Sequence, residues 1–433
     1  MNLFLIIAIL AFFGLFVIQP KYGLYLTAAC LPIIGRDFYF YGLIIPIADL
    51  VALLSLDAFL TRLAIDALFS KQEIKLRWPL FLPFSIFFIV SLFSIFFSEH
   101  QTNSLYYFLR WPFFLYFAYI FAPANIIKTP RILKTTTIIV FLSAMIVLIA
   151  GYISLLGQDW QDYFFRMKSI NIFGSYLFGE NHNLIAEFLN IGAFFVLIIR
   201  EFLNSQRGKR LADIIFFLTA SGIILTFSRA GWITLFLQSL IYFFYRTSEN
   251  KKERLAMIIF SILALIIISP LLWKMSSLQA KNTSSTENRV LLTEIAINAF
   301  KDRPLIGHGN GEFINIVGEN IRFRAKYGEP LDSHGMLQKL LAENGIIGLG
   351  AWLFLLIYLA RTAFLALKRY YPKLKWMLPF CLAAGGGLFF QFFNTSYFKG
   401  RVWLPIILFL MAIKFSDEIY AQKNNDSSSS TKS

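Results

Sequence analysis

The sequence is poor in charged residues, cysteine and histidine. Only 15% of its 433 residues are charged, two are cysteines and four are histidines. Cys30 and Cys381 both lie within apolar segments, so their number and spacing predict neither a disulfide nor a metal site. No GxxxxGK[ST], GxGxxG, HExxH or CxxC segment occurs, which removes support for a nucleotide-driven pump or a zinc protease, and no cofactor is predicted. The energy for any reaction must therefore come from the substrate itself or from an ion gradient.

Apolar residues are abundant instead. They make up 57% of the chain and recur in runs of about twenty, the length that a helix needs to cross the hydrocarbon core of a membrane. The segment from Leu255 to Trp273 has no charged residue at all. A soluble fold could not bury so many such runs, so we predict an all-α, polytopic integral membrane protein. The net charge of +15 is then explained by basic cytoplasmic loops rather than by binding to nucleic acid.

Thirteen segments are candidate membrane-spanning helices: 3–19, 22–35, 40–62, 78–98, 105–124, 133–156, 183–202, 211–227, 231–246, 255–273, 346–368, 376–396 and 401–415. The breaks on either side of 22–35 are very short, so this segment is either a span, a re-entrant piece or part of a neighbouring helix. We therefore expect about 12–13 transmembrane helices. Residues 1–18 lack a small-residue cleavage site and are predicted to remain as the first helix.

Basic residues set the predicted orientation, because Lys and Arg concentrate in short cytoplasmic loops. Five alternate loops carry them: 71–77, 128–134, 207–210, 246–254 and 368–375. The loops between these are predicted to face outward: 98–104, 157–182, 228–231, 274–345 and 397–400. The chain thus divides into four predicted parts, namely transmembrane helices over 1–273, one large outward loop over 274–345, C-terminal transmembrane helices over 346–415 and a disordered cytoplasmic tail over 416–433.

The large outward loop is predicted to be folded. Its stretch NRVLLTEIAINAF, 288–300, spaces apolar side chains at helical intervals. Pro304 ends this helix, GHGNGEF reads as a glycine-rich turn, and a second helix is predicted to start near Ser333. No internal repeat supports an arrangement in inverted halves.

Arg229 is a candidate functional residue because charge at membrane depth is costly. It lies between two apolar spans in LTFSRAGWITL, beside the small residues Ala230 and Gly231, which would leave room around its guanidinium. The planar guanidinium suits a phosphate or diphosphate. The alternative is an arginine that extends to the membrane surface and merely anchors the end of a helix.

His334 is the histidine with the clearest chemical potential. Ser333 is predicted to cap a helix, with His334 in its first turn and Gly345 as its stop. A helix N-terminus disfavours a second proton on a nearby imidazole and attracts anions, so His334 could act as a general base beside a bound phosphate. The alternative is a surface histidine at a helix cap.

Other polar residues are weaker candidates. Arg289 precedes the first loop helix and is either a second phosphate ligand or a solvated charge. Arg110, Arg166 and Asn183 are outward-facing candidates for substrate binding. His308 is also a candidate, although a place in the glycine-rich turn accounts for it equally.

Four segments, taken in order, resemble motifs of the O-antigen ligase and O-antigen polymerase superfamily. GENHNLIAEFL, 179–189, is similar to its NPNxxAxxL element, and SRAGW, 228–232, to its SRG-type motif. Residues 288–313 look like its outer-loop segment, in which an arginine precedes a helix that PL[IF]GxG closes. HGMLQKLLAENGIIGL, 334–349, resembles its HNxxL and ExG pattern.

This sequence departs from those motifs at four positions. Gly335 replaces the usual Asn, Gln338 the usual Leu, His182 the usual Pro and Thr293 the usual aromatic residue. The change at Gly335 puts the role of the missing Asn in doubt, and it leaves that of His334 unaffected.

The resemblance implies a metal-independent, C-type glycosyltransferase in the bacterial inner membrane. Such enzymes transfer a glycan from undecaprenyl diphosphate to an acceptor hydroxyl at the periplasmic face. The resemblance assigns His334 as catalytic base, Arg229 as a diphosphate ligand and Arg289 as a further loop arginine. Direct attack on the donor would make the enzyme inverting.

Two members of this superfamily differ in their acceptor, and no residue here separates them. A ligase joins O-antigen to the lipid A-core, whereas a polymerase extends one lipid-linked repeat with another. The single compact loop and the intact His334 motif favour the ligase slightly. Expected partners are therefore a lipid-linked glycan donor, a glycan or lipid A-core acceptor and membrane lipids.

Functions of other classes stay open on the sequence. A secondary transporter or flippase predicts ionisable residues inside several spans, and Asp49, Asp57 and Glu187 fit that pattern. A structural membrane scaffold would not need the outward-facing arginine and histidine.

Overall fold

The computed structural model describes residues 3–35, 37–40, 43–69, 73–159, 165–172, 174–179, 181–246, 255, 283–371, 373–393 and 399–430. Helices dominate these residues: α1 Leu3–Ile18, α2 Pro20–Cys30, α3 Ile47–Phe69, α4 Phe81–Ile95, α5 Gln101–Phe108, α6 Ala122–Ile126, α7 Pro130–Leu156, α8 His182–Phe202, α9 Gln206–Leu225, α10 Arg229–Arg246, α11 Thr283–Asp302, α12 Phe313–Glu319, α13 Ile321–Tyr327, α14 Met336–Tyr370, α15 Met377–Gln391 and α16 Gly400–Ser430. Two π-helical turns, Leu109–Phe113 and Tyr116–Phe121, lie between α5 and α6. Two short antiparallel hairpins complete the fold: β1 Asp37–Phe40 with β2 Leu43–Pro46, and β3 Asn171–Ile172 with β4 Ser175–Tyr176.

The protein is a mostly helical membrane protein. Among the described helices, α7, α8 and α14 are long and apolar enough to cross a membrane, and Ile9–Ile18, α4 and α15 are shorter apolar helices. Along α7 the side chains of Leu142, Ile146, Ile149 and Ile153 are more than half exposed at helical spacing, which suits a lipid-facing stripe. The number of 12–13 spans and their orientation stay predictions. The predicted span 255–273 lies outside the described residues except for Leu255.

Two predicted boundaries need correction. Phe40 and Leu43–Pro46 belong to the first hairpin, where Asp37 pairs with Pro46, so the helix predicted from residue 40 begins at Ile47. The aromatic and β-branched residues of this stretch favour strands, and Pro46 disfavours a helical residue before it. The tail predicted to be disordered from residue 416 continues α16 to Ser430, and no proline or glycine interrupts this stretch.

Helix α8 forms the centre of the bundle. All residues from Ile185 to Ile198 are buried, and α8 packs against α7, α9, α10 and α15. A helix that is apolar on all sides is expected to lie inside a larger helical assembly. Its N-terminus is therefore fixed in the middle of one end of the bundle.

The outward loop has a small core of its own. Leu291, Leu292, Ile295, Ala296 and Ala299 of α11 pack with apolar residues of α12, α13 and the start of α14: Phe313, Val317, Phe323 and Ala342. The spacing of the five α11 residues confirms the helical pattern predicted from the sequence. This second core holds α11 and the start of α14 side by side.

Candidate functional site

His334 lies just before a helix rather than inside its first turn. Helix α14 begins at Met336 with Gly335 in the N-cap position. Ser333 does not cap the helix as predicted, because its hydroxyl donates to the carbonyl of Gly335 and accepts the Gly335 N–H at 3.1 Å. This local turn, typical of serine, leaves the His334 imidazole half-buried beside the helix end.

Gly345 breaks α14 rather than ending it. Its backbone has φ +63° and ψ −162°, and the helix resumes to Tyr370. This backbone conformation is essentially restricted to glycine. A Cβ atom at Gly345 would lie 2.4 Å from the Leu305 carbonyl oxygen. The sequence predicted a helix end here because a glycine marks a helix end and a break within a helix equally well.

The loop segment 304–309 supplies the hydrogen bonds that the break removes. The N–H groups of Ile346 and Ile347 donate to the carbonyls of Pro304 and Leu305 at 2.9 and 3.2 Å. In return, His308 and Gly309 donate to two carbonyls on the other side of the break, those of Ala342 and Glu343, at 3.0 and 2.9 Å. Each orphaned backbone group near the break thus has a partner. The PLIGHG and ENG motifs therefore form one interlocked unit, which fixes the start of α14.

The same glycine-rich turn is tied to the helices on its other side. Gly307, Gly309 and Gly311 all have positive φ, as the predicted turn requires. The Ser98 hydroxyl donates to Glu312 Oε1 at 2.5 Å, and Asn310 Nδ2 donates to the Ser91 carbonyl at 2.7 Å. These contacts join α4 and the segment before α5 to the loop.

Arg229 is the first residue of α10. Ser228 precedes it and accepts the Gly231 N–H at 3.2 Å, which is the geometry of an N-cap. Gly231 does not make room for the guanidinium, as its place in the sequence suggested. A Cβ atom there would lie 2.9 Å from the Cβ of Ala186, so Gly231 allows the start of α10 to pack closely on the start of α8.

Electrostatic interactions link three of the predicted site residues, Arg229, Arg289 and His334. Burial lowers the pKa of Arg289, and the positive charge of Arg229 lowers it further. Burial also lowers the pKa of His334, and the charge of Arg289 adds to this effect. Arg289 therefore interacts electrostatically with both of the other two residues.

Electrostatic interactions also link Arg289 to the start of α8. The charges of Arg166 and Arg289 both act on His182, the first residue of that helix. Asn183 follows it, half-buried, with its N–H bound to Asn181 Oδ1 at 2.9 Å. We call Arg166, His182, Arg229, Arg289 and His334 the cationic cluster.

Neither arginine at the centre of the cationic cluster is neutralised by an acid. Within the described parts of the chain, Arg229 and Arg289 form no ion pair, and the buried Nε of Arg289 has no hydrogen-bond partner. Arg229 is exposed and Arg289 is half-buried, and a buried Nε–H without an acceptor is costly. The arrangement suits an anion with several oxygen acceptors, such as a diphosphate.

An acidic group also acts on His334. Asp332 opposes the lowering of the His334 pKa, and its two carboxylate oxygens accept from Lys339 Nζ at 2.8 and 2.6 Å. Lys339 also lies 3.6 Å from Oε1 of the fully buried Glu343. The imidazole therefore interacts with a cation, Arg289, and with an anion, Asp332.

The sequence motifs did not identify Asp332, Lys339 and Glu343 as site residues. The sequence nevertheless holds a signal for Lys339 and Glu343. Lys339 and Glu343 share one helical face with Met336 and Leu340, at intervals of three and four residues. Charged residues on an otherwise buried face are expected to pair. That expectation, applied to the segment after His334, would have identified the two residues.

Two other predicted residues lie elsewhere in the structure. The Arg110 guanidinium lies 4.7 Å from the Trp111 ring centre, in a cleft on the far side of Tyr107. The His308 ring nitrogen Nε2 lies 2.9 Å from the Ala299 carbonyl oxygen, and this residue lines a separate cavity of about 300 Å³. Neither is among the charges that act on His334.

Two of the three ionisable residues that favoured a transporter, Asp49 and Glu187, have structural partners. Glu187 is fully buried and accepts from Arg401 Nε and Nη2 at 3.0 and 2.6 Å. Gln391 donates to the same carboxylate at 2.7 Å. Asp49 accepts from the Tyr119 hydroxyl at 2.7 Å. These contacts join helices of the bundle, so an ion pathway is not needed to explain these two acids.

A model of the O-antigen ligase family matches residues 214–353. The matched segment is less than half of the chain and contains Arg229, Arg289 and His334. It supports the predicted resemblance to the O-antigen ligase and polymerase superfamily. No curated protein matches the chain. The family indicates a glycosyltransferase-like membrane enzyme that acts on lipid-linked glycans.

Proposed function

We propose that this member of the O-antigen ligase and polymerase superfamily is an O-antigen ligase. In this proposal it transfers a glycan from undecaprenyl diphosphate to a hydroxyl of the lipid A-core at the periplasmic face of the bacterial inner membrane. One observation carries the proposal: a half-buried imidazole interacts electrostatically with Arg289 and with one carboxylate, and Arg289 interacts in turn with Arg229.

The diphosphate of the donor fits the Arg229 and Arg289 side. When the bond between the anomeric carbon and the diphosphate oxygen breaks, negative charge grows on the leaving diphosphate. Two fixed guanidinium groups would stabilise that charge more in the transition state than in the ground state. In this proposal the arginines do the work that a divalent cation does in metal-dependent glycosyl transfer, and Arg166 and Asn183 extend the polar surface on the same side.

The acceptor hydroxyl fits the other side of His334. Burial and Arg289 lower the pKa of His334, so the ring is neutral at pH 7 and can accept the hydroxyl proton. The hydroxyl oxygen then forms a bond to the anomeric carbon from the face opposite the diphosphate, which inverts that centre. The proton ends on the imidazole and the electron pair on the diphosphate, so the step balances without a cofactor.

Extension of one lipid-linked repeat by another is the second candidate, because a polymerase would use the same donor chemistry. Purified protein in liposomes, given a labelled undecaprenyl-diphosphate oligosaccharide and lipid A-core, separates the two. We expect label on the lipid A-core and free undecaprenyl diphosphate as the second product. If longer undecaprenyl-linked glycans form and no lipid A-core is labelled, the polymerase function would be favoured over the ligase function. If no glycan is transferred to either acceptor, both functions would be refuted.

A further inference from the structure

A second cleft opens beside the site, on the far side of Tyr107. Its volume is about 490 Å³, and it lies between the start of α3, the segment from α5 to the first π-helical turn, and α12. Its polar and aromatic lining residues include Asp49, Asn103, Tyr106, Tyr107, Arg110 and Trp111. The cationic cluster contributes no residue to this lining, so the cleft is distinct from the place assigned to the diphosphate.

The cleft combines aromatic rings with hydrogen-bonding side chains. Tyr106 is 60% exposed, and Trp111 is partly exposed beneath the Arg110 guanidinium. Asn103 and Asn315 supply amide groups, and Asp49 supplies a carboxylate. The flat apolar face of a pyranose stacks on aromatic rings, while its hydroxyls bind amides, carboxylates and guanidinium groups. Apolar side chains such as Leu53 and Phe114 also line the cleft, but a polyprenyl chain would form no hydrogen bonds with the polar groups.

Tyr107 connects the cleft to the acidic side of His334. Its ring centre lies 5.0 Å from Lys339 Nζ, and Lys339 binds Asp332 at 2.6 Å. Asp332 in turn acts on His334. Gly311 lets the loop approach this ring, since a Cβ atom there would lie 2.9 Å from it. Through Tyr107 and Lys339, the cleft therefore adjoins the carboxylate that acts on the imidazole.

We propose that this cleft binds pyranose residues of the acceptor glycan. The inference rests on the proposed function, because that function assigns the donor diphosphate to Arg229 and Arg289, which do not line the cleft. A hydroxyl that gives its proton to His334 must approach from the side that the donor leaves open. The cleft would then hold the sugars next to the accepting sugar and present its hydroxyl to the imidazole.

Tyr106 provides the cleanest test because its exposure makes a folding defect improbable on substitution. In the liposome assay, Tyr106→Ala should raise the KM for lipid A-core about 3- to 10-fold, the loss of roughly one aromatic contact. The KM for the lipid-linked donor should stay at the wild-type value. Tyr106→Phe keeps the ring and should restore the acceptor KM. Tyr358→Ala removes an exposed tyrosine of α14 outside the cleft and is the matched control.

A binding measurement separates this inference from the proposed function. Deacylated core oligosaccharide should bind the wild type and His334→Ala equally and bind Tyr106→Ala and Trp111→Ala more weakly. That result without any glycan transfer by the wild type would retain the cleft and refute the proposed function. Suppose instead that Tyr106→Ala transfers glycan with an unchanged acceptor KM, or shows a higher donor KM. Either result would refute acceptor binding in the cleft and leave the proposed function intact.

Discussion

The ammonium group of Lys339 lies 2.6 Å from Oδ2 of Asp332, and the lysine side chain is only 4% exposed. Asp332 is two residues before His334 and helps to set the charge around the imidazole. Lys339 thus holds in place the one acid that opposes the effect of Arg289 on the proposed base. This pair links the fold of α14 to the chemistry of the site.

Removal of the Asp332 charge and removal of the Arg289 charge should shift the pH profile of glycan transfer in opposite directions. A general base works only when unprotonated, so activity falls as the pH drops through the His334 pKa. Asp332 raises that pKa and Arg289 lowers it. The acidic limb of the kcat/KM profile should therefore shift to lower pH in Asp332→Asn and to higher pH in Arg289→Gln. Shifts of the same sign in both variants would contradict the assigned geometry.

Loss of either central arginine should abolish most glycan transfer while the protein still inserts into the membrane. Arg229→Ala and Arg289→Ala each remove a charge that would stabilise the leaving diphosphate, an effect of about 100- to 1000-fold for one such group. Arg324→Ala, an exposed arginine in the same loop, should keep wild-type activity. Product formation and membrane content are measured together. Full transfer by Arg229→Ala or Arg289→Ala would show that the affected residue does not have this role.

Gly345→Ala should destabilise the protein, because the backbone there adopts a conformation that costs other residues about 1–3 kcal/mol. The added Cβ would also meet the Leu305 carbonyl oxygen at 2.4 Å. Gly350→Ala is the matched control on the same helix, since a Cβ there meets no atom within 4 Å. Thermal unfolding in detergent should show a lower Tm for Gly345→Ala alone. Equal Tm values for the two variants would mean that the interlock with segment 304–309 is not needed.

Glu187→Ala should lower the stability by several kcal/mol, because it leaves the buried Arg401 without its acid. Combining it with Arg401→Leu should recover much of the loss. The Tm of both single variants and the double variant forms a double-mutant cycle. A Glu187→Ala protein of normal stability, with altered ion flux in liposomes, would favour a transport role for this residue instead.

The sequence predicts much of this molecule where the signal is local. Apolar spacing predicts α11, and glycine spacing predicts the turn that follows Pro304. The motifs around Arg229 and His334 identify the superfamily. Each of these signals is contained in a few consecutive residues, so no tertiary structure is needed to recognise it.

What the sequence could not show depends on partners far along the chain. Gly345 marks a break instead of a stop because segment 304–309 supplies hydrogen bonds to both sides of it. Gly231 faces Ala186, a contact between two helices that the sequence separates by 45 positions. The neighbourhood of Arg289 and His334 likewise depends on the small core that α11 shares with the start of α14.

The rate of glycan transfer by His334→Ala tests the central claim most directly. It is measured in liposomes with a labelled undecaprenyl-diphosphate oligosaccharide and lipid A-core, and His100→Ala serves as the control because that histidine binds Glu312 outside the cationic cluster. Removal of a general base predicts a fall in kcat of about 100- to 10,000-fold with donor binding unchanged. A His334→Ala protein that transfers glycan at the wild-type rate would contradict the assignment of this imidazole as the base.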